Sequence, residues 1–551
     1  MTTSFDYIVV GGGTAGVVIA SRLSQYLPSV RIALIEAGPN AVNHPKVNDV
    51  TEPMAWISLM SEGLVVDYST TPQENLDGRR IINPAGHLLS GSSGVNVGTW
   101  MRASAADHAL MAKRTGHERF LYQNMIKYYK RLETHFDTSA DMDFHGFDGP
   151  IHTIGKRDYP LRAIIEKSAG SIGHLYNPIA SNGDPIGLAD FVHCFRATSE
   201  GTVTRQHSGK VYNLSNVTVF CDAPAARVVL DDERRATGIE LISGVILRAD
   251  HEVIMCCGTQ RTPQLLMLSG IGPHAELSKH NISVLVDSPA VGQNYSDHSA
   301  FTSYYKLNDS SKGYSKPFTD REQASYGHGL PSDFTCFANI PANELMPHLT
   351  TDRQNLGDHP TLMEKRCHFM SLIMYYPLPA HPLLYPEIAS DNKGSYISVA
   401  AIHMQPLSRG TVTLKSADSR DHPVCDPRFF STNTDKFIMR TAIRDNIRLT
   451  ATVPLADELA GEVAPVGFPA LTLDSSDEDI DARVRALTMT VAHPMGTCAI
   501  GSVLDDEFRV KGVSGLRICD ASVFPEPIGA MPSCAIYALA EMCAELVAGV
   551  E

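Results

Sequence analysis

Tryptophan is almost missing from this sequence: Trp56 and Trp100 are the only two in 551 residues. No basic patch with interleaved aromatics occurs, and the net charge of -15 is spread along the chain, which excludes a nucleic-acid binder. No apolar run is long enough to span a bilayer, and the last apolar stretch is interrupted by Glu541 and Glu545. The start, MTTSFDYIVVGGG, enters a strand without a basic segment or a cleavable apolar one, and the end, AGVE, is not a peroxisomal address; neither a secretory leader nor that organelle is expected. The 11 cysteines are odd in number and follow neither a zinc-ligand nor a disulfide-framework spacing. Reduced thiols in a cytoplasmic protein are therefore expected, with no metal and no membrane association. Sequons at Asn213 and Asn216 then carry no weight. What is present is ordinary for a globular protein, 43% hydrophobic and 19% charged, with length enough for more than one domain.

The stretch DYIVVGGGTAGVVIASRLSQ, from Asp6, is the strongest local signal. Ile8, Val9 and Val10 read as a buried strand, and AGVVIASRLSQYL reads as a helix. Between them Gly11, Gly13 and Gly16 have the G-x-G-x-x-G spacing. Gly11 allows the tight turn, Gly13 lets backbone approach a pyrophosphate, and Gly16 lets helix and strand pack closely; the helix start offers N–H groups to the phosphate. A second strand, RIALIEAG, ends at Glu36, about 20 residues past the glycines, where an acid accepts hydrogen bonds from ribose hydroxyls. That acid disfavours a 2′-phosphate, and so NADP. The glycines alone are weak evidence; strand, turn, helix and acid together predict a dinucleotide. Further glycine-rich segments recur far downstream, as a chain wrapping a large flavin requires.

Those segments begin with PAGHLLSGSSGVNVGTWMRASAADH from Pro84, rich in small residues, with a helix start near Ser92. VIMCCGTQRTPQLLMLSGIGP from Val253 reads as a strand, a Gly-Thr turn and a helix ended by Gly270. VGQNYSDHSA follows from Val291, then VAHPMGTCAIG with His493, then GLRICDASVFPEPIGAMPSC. In this order, over nearly the whole chain, they resemble the glucose–methanol–choline (GMC) family of FAD-dependent oxidoreductases. SRGTVTLKSAD from Ser408 resembles that family's hairpin in the substrate domain.

The resemblance implies two parts. One is an α/β, Rossmann-like FAD-binding domain from residues 1–155, 215–300 and 485–551. The other is an α+β substrate-binding domain from residues 156–214 and 301–484, an antiparallel sheet with helices behind it. SYISVAAIHMQ from Ser395, rich in β-branched residues, is a candidate strand of that sheet. The resemblance also implies cofactor contacts: Thr14 and Ala15 at the pyrophosphate, Glu36 and Ala37 at the adenosine ribose, Ala225 at the adenine. Asn96, Val97, Gly98 and Thr99 would pass the flavin ring, Asp520 and Ala521 the ribityl and phosphate, and Pro532 and Ser533 the pyrimidine edge. Some members link FAD covalently through a His just before the Asn of the small-residue motif. That position holds Val95 here, so non-covalent FAD is expected.

Oxidation of an alcohol by a flavin needs a base for the hydroxyl proton, a carbon held against flavin N5, and stabilisation of the charge developing at N1–C2=O. His493 occupies the family's catalytic His position, and imidazole titrates near neutrality. The second catalytic position, normally His or Asn, is Met531. It lies at or next to the N-cap of the last helix, which is expected to take Pro532 as its first residue and to end at Gly549. Met offers free N–H groups almost nothing, so this helix start is left open, with its dipole facing the flavin. Three readings follow. The protein is an alcohol oxidase or dehydrogenase using His493 alone, with a small-molecule substrate, O2 as a candidate acceptor and Met531 shaping an apolar pocket; or FAD is structural and His493 does lyase, dehydration or cyclisation chemistry; or the protein is a non-catalytic relic, which an intact His493 speaks against. His403, Tyr375 and Tyr376 are candidates for a replacement polar group, and Ala492 is small enough to leave room beside the flavin.

Overall fold

An unbroken apolar run and a glycine-rich turn organise the first unit. In the computed structural model, which describes residues 4–317, 326–378 and 380–550, Ser4–Val10 forms β1, Thr14–Tyr26 forms α1 and Ile32–Ile35 forms β2. Ile8, Val9 and Val10 are all buried, as a strand covered on both faces must be. Gly16 permits α1 to lie against the turn: a Cβ there would stand 1.9 Å from the Gly11 carbonyl oxygen. β1 and β2 pair in parallel, Val9 opposite Leu34.

A 7-stranded sheet grows from this pair. Its order is Thr218–Phe220, β2, β1, Ile246–Met255 (β3), Ala236–Leu241 and Ala225–Leu230, with Leu516–Ile518 also paired to β3. The pairs around β1 and β2 are parallel, and the meander from Ala225 into β3 is antiparallel. The segment after Ser104 forms helix α2, Ala105–Thr115, opened by a capping box between Ser104 and Asp107. After β3 comes α3, Gly258–Leu268, with Gly270 in the left-handed region just beyond it, as expected.

The second sheet is antiparallel and also 7-stranded, in the order Leu459–Glu462, Ser299–Leu307, Tyr396–His403 (β4), Phe369–Met374, Phe334–Ala338 and Gly187–Asp190. Met489–Thr490 pairs with its Ser299 end. Strand periodicity divides its faces. Ala401 and Phe369 pack with Ile438, Met439 and Ala442 of helix α4, Asn433–Thr450. Ala400, Ile402, Met370 and Leu372 face the other way and cluster with Met531. The expected hairpin is present, Thr411–Thr413 against Val424–Asp426, and Val412 exchanges main-chain hydrogen bonds with neither large sheet but donates to Gly292.

Two local expectations shift. The last helix, α5, spans Ser533–Ala548, with Pro532 as its N-cap instead of its first residue; the first helical hydrogen bond runs from Ile536 N–H to the Pro532 carbonyl. Its other end is Gly549, as expected, at φ 65°. Near Ser92 there is only a 3-10 turn, Gly91–Gly94, because Ser90 and Gly91 both take positive φ and break the helical path. All 11 cysteines are free thiols. No helix among the described residues is long and apolar enough to cross a membrane.

Candidate active site

The first half of the site is backbone. Gly11 ends the β1 turn, and α1 starts at Thr14 with Gly13 as N-cap and no side-chain cap, so the first N–H groups at Thr14 and Ala15 are open to an anion. Gly91 crosses this turn so closely that a Cβ on it would stand 2.7 Å from Gly13 Cα, whereas a Cβ on Gly13 meets nothing nearer than 3.7 Å. The Gly13 side is thus an open cradle for a pyrophosphate. Glu36, just past β2, is buried; its two oxygens accept from Gly12 N and Gly38 N, both at 2.8 Å. Burial pushes its carboxyl up to about 7 against those hydrogen bonds. Each carboxylate oxygen has a second lone pair for a ribose hydroxyl. Ala37 lies beside it, and the Glu36 carbonyl accepts from Ala223, two residues before Ala225, the first residue of its strand.

Asn96 to Thr99 form the next wall. Asn96 Oδ1 accepts from Gly98 N at 2.9 Å and from the buried Arg205 at 3.1 Å. Val97 packs into the apolar cluster of Met531. Thr99 Oγ1 is buried without a hydrogen-bond partner, a polar atom awaiting one. These features fit FAD: a cradle, an acid, an orphaned hydroxyl and the uncapped start of α5 at Pro532 and Ser533. Asp520 Oδ2 accepts from Gly258 N (2.9 Å) and Thr262 (2.6 Å), and Oδ1 from Ser522 N (2.8 Å), so its side chain ties α3 to the segment after the last strand.

The second half is side chains. His493 is half-buried, and burial together with His298 holds its imidazole well below the ordinary 6.5. Asp297 anchors it: Oδ1 accepts from His493 N at 2.9 Å, while Oδ2 accepts from Thr490 (2.6 Å) and Asn83 (2.8 Å). Burial pushes the Asp297 carboxyl up to about 7. Ala492, next to His493, sits at φ 58°, a strained conformation costing about 1–3 kcal/mol that this anchoring sustains. His298 reaches the ring itself: its Nδ1 is 3.1 Å from His493 Nδ1.

Met531 is 8% exposed and packs with Ile402, Met404, Leu372, Val97 and Val491, the last only two residues from His493. The loop that carries Met531 is clamped by a buried ion pair, Arg366 to Asp107 at 3.0 Å. Asp107 also accepts from Gly529 N (3.0 Å), and Arg366 donates to the Pro527 carbonyl (2.7 Å). The three candidates for a replacement polar group have partners of their own. Tyr375 donates to Asp333 at 2.7 Å, Tyr376 lies under the Lys316 ammonium, and His403 stacks on Phe430 beside Asp435.

Asp297 and His298 belong to the site although nothing in VGQNYSDHSA marks them beyond two polar residues side by side at the entry to a strand. A cleft of about 450 Å³, lined by Arg114, Arg366, Arg409, Gln405 and Glu526, lies behind the Met531 loop and includes neither His493 nor Met531. Glu133, His135 and His145 have metal-ligand spacing, but the Glu133 carboxylate is already taken by Arg102 at 2.5 Å and by Trp100.

The description "GMC oxidoreductase" matches this chain over residues 5–300 and again over residues 406–540. GMC-type oxidoreductase acuG of Aspergillus aculeatus is 36% identical over 548 residues, 99% of this chain and 99% of its own. Choline oxidase of Arthrobacter globiformis is 32% identical over 566 residues, 98% of this chain and 94% of its own. Formate oxidase of Aspergillus oryzae superposes with a TM-score of 0.84 at 26% identity, over 99% of this chain and 98% of that one.

Proposed function

Because this chain belongs to the GMC oxidoreductase family, and is thereby an FAD-dependent oxidoreductase of alcohols, we propose that it oxidises the CH–OH group of a small or medium alcohol with an apolar body. The observation that carries this reading is a neutral, half-buried His493 two residues from Val491, which packs in the apolar cluster of Met531. FAD, when bound, supplies the hydride acceptor. Glu36, the Gly13 cradle and the start of α5 would hold it, without a covalent link because Val95 offers no nucleophilic atom. The division into residues 1–155, 215–300 and 485–551 for cofactor and 156–214 and 301–484 for substrate belongs to this proposal; sheet membership supports it, with Met489–Thr490 crossing to the second sheet.

His493 acts as the base. Its depressed basicity keeps the ring unprotonated at neutral pH, so a lone pair is ready for the hydroxyl proton. Asp297 fixes the main chain beneath it. Met531 buries the substrate's body and gives its oxygen no hydrogen bond; lacking one positioned donor lowers the rate by ~10²–10³ relative to a site that has it. The free thiols suit a reducing, cytoplasmic setting, and O2 is the proposed acceptor. The test is anaerobic mixing of holoenzyme with a panel of apolar alcohols while the flavin absorbance is followed. Bleaching supports the reading. A second reading, non-redox acid–base chemistry by His493, is favoured by the missing polar partner at Met531 and is supported by product formed without bleaching.

A further inference from the structure

The cleft behind the Met531 loop takes no part in the proposed alcohol chemistry, since neither His493 nor Met531 lines it. Its volume of about 450 Å³ is that of a small-molecule site. Helix α2 brings Lys113 and Arg114 to it, the stretch after β4 brings Gln405 and Arg409, and the segment leading to Met531 brings Glu526. Charge is unbalanced in this wall. Glu526 faces two guanidiniums, Arg114 at 2.6 Å and Arg409 at 2.9 Å. Lys113 pairs with Asp358 at 3.2 Å, and Arg366 is spent on Asp107. One positive charge is left over. Arg409 is steadied by the carbonyls of Pro406 and Ser408. Two guanidiniums still carry more N–H donors than one carboxylate and these carbonyls accept.

Hydrogen bonding is unbalanced in the same wall. Gln405 is 2% exposed, yet neither its Oε1 nor its Nε2 has a partner among the described residues. Leaving a buried amide unpaired at both atoms is costly and rare. Gln405 directly precedes Pro406, whose carbonyl holds Arg409, so the unpaired amide and the surplus cation share one short stretch of chain. A guanidinium is answered by a carboxylate. A side-chain amide is answered by a hydroxyl, which donates to Oε1 or accepts from Nε2. A single surplus charge suits a carboxylate better than a phosphate ester, which carries about −1.5 to −2 at pH 7. No Phe, Tyr or Trp lines the cleft among the described residues, so none is there to stack a nucleobase.

We propose that this cleft binds a small hydroxy-carboxylate, with its carboxylate on Arg114 and Arg409 and its hydroxyl on Gln405. The site is separate from that of the alcohol and does not depend on which reaction His493 performs. Its ligand would touch Glu526 and Pro527, on the segment that leads to Met531.

The experiment is a saturation-transfer NMR titration of the FAD-loaded protein with three probes of nearly one shape. They are 2-hydroxyisobutyrate, pivalate, which has a methyl in place of the hydroxyl, and tert-butanol, which has a methyl in place of the carboxylate. Neither hydroxyl-bearing probe has a hydrogen on its carbinol carbon, so neither can deliver hydride to the flavin. 2-Hydroxyisobutyrate should bind about tenfold more tightly than pivalate, the size of one hydrogen bond, and tert-butanol most weakly. Gln405→Met should bring 2-hydroxyisobutyrate down to the level of pivalate. Arg409→Gln and Arg114→Gln should each weaken both anions about tenfold or more and leave tert-butanol unchanged. Thermal unfolding and the flavin spectrum report whether each variant is folded. Should Gln405→Met or Arg409→Gln not fold, the ranking of the probes on the wild type and the exposed Arg114→Gln decide. Equal affinity for 2-hydroxyisobutyrate and pivalate in the wild type overturns the proposal. So does undiminished anion binding in the arginine variants, inorganic phosphate bound more tightly than 2-hydroxyisobutyrate, or no saturation transfer to any probe.

Discussion

The nucleotide end and the reaction end of this site are built by opposite means. At the first, the groups proposed to hold the cofactor are mainly main chain: a glycine turn and an uncapped helix, with one acid, all within residues 11–36 of a single strand–helix–strand unit. At the second, hydrogen bonds link Asn83, Asp297, His298 and His493, residues distant in sequence, and Met531 packs in an apolar cluster that includes Val491. Backbone recognition tolerates no Cβ but accepts many side chains around it. In the proposed reading, side-chain chemistry tolerates a changed neighbour at Met531 because the base itself stays anchored. On that reading, the difference lies between a proposed substrate wall that accepts an unusual residue and a proposed cofactor cradle that keeps its glycines.

That contrast can be broken most severely at His493. His493→Ala should lower the flavin-reduction rate by ~10²–10⁴ while the purified protein stays yellow, because the cofactor is held elsewhere. Loss of FAD from this variant would mean that the two ends are not separate. Next in size is Arg366→Ala. It leaves Asp107 as an uncompensated buried charge and should cost about 3–5 kcal/mol of stability in thermal or denaturant unfolding. Glu36→Ala tests the other end. FAD affinity should weaken by ~1.5–3 kcal/mol, measured by cofactor dissociation, with turnover per bound flavin unchanged.

Smaller effects sharpen the comparison. Met531→Ala should alter the ranking of alcohols of different bulk and leave the proton chemistry intact, read as KM changes across the panel. The pH profile of flavin reduction supplies the finest test. His493 works in its neutral form and its ring is held below the ordinary 6.5, so the rate should climb as pH rises through a midpoint below 6.5 and then level off. A midpoint above 6.5 would place a stabilised imidazolium in the resting enzyme.

The nucleotide end was legible because its requirements are local. Gly11, Gly13, Gly16 and Glu36 lie within one βαβ unit, and spacing alone encodes their geometry. His493 and the substitution at Met531 could be located through resemblance, and β4 through its run of β-branched residues. The rest was hidden for a physical reason. Asp297 and His298 matter through contacts with Thr490 and His493, and nothing in VGQNYSDHSA says which distant turn its strand will pair with. Asp107 reads as an ordinary capping-box residue, as it is, but its second carboxylate oxygen and Arg366 meet only after the two sheets have packed.

The central claim is that an alcohol's proton goes to His493 while its hydride goes to the flavin. The direct measurement is anaerobic stopped-flow reduction of the holoenzyme by an apolar primary alcohol and by the same alcohol deuterated at the carbinol carbon. The account predicts bleaching of the flavin, slowed by the deuterium, with one aldehyde formed per flavin reduced. Product released from the protonated and deuterated alcohols at equal rates, with the flavin absorbance unchanged, would contradict it.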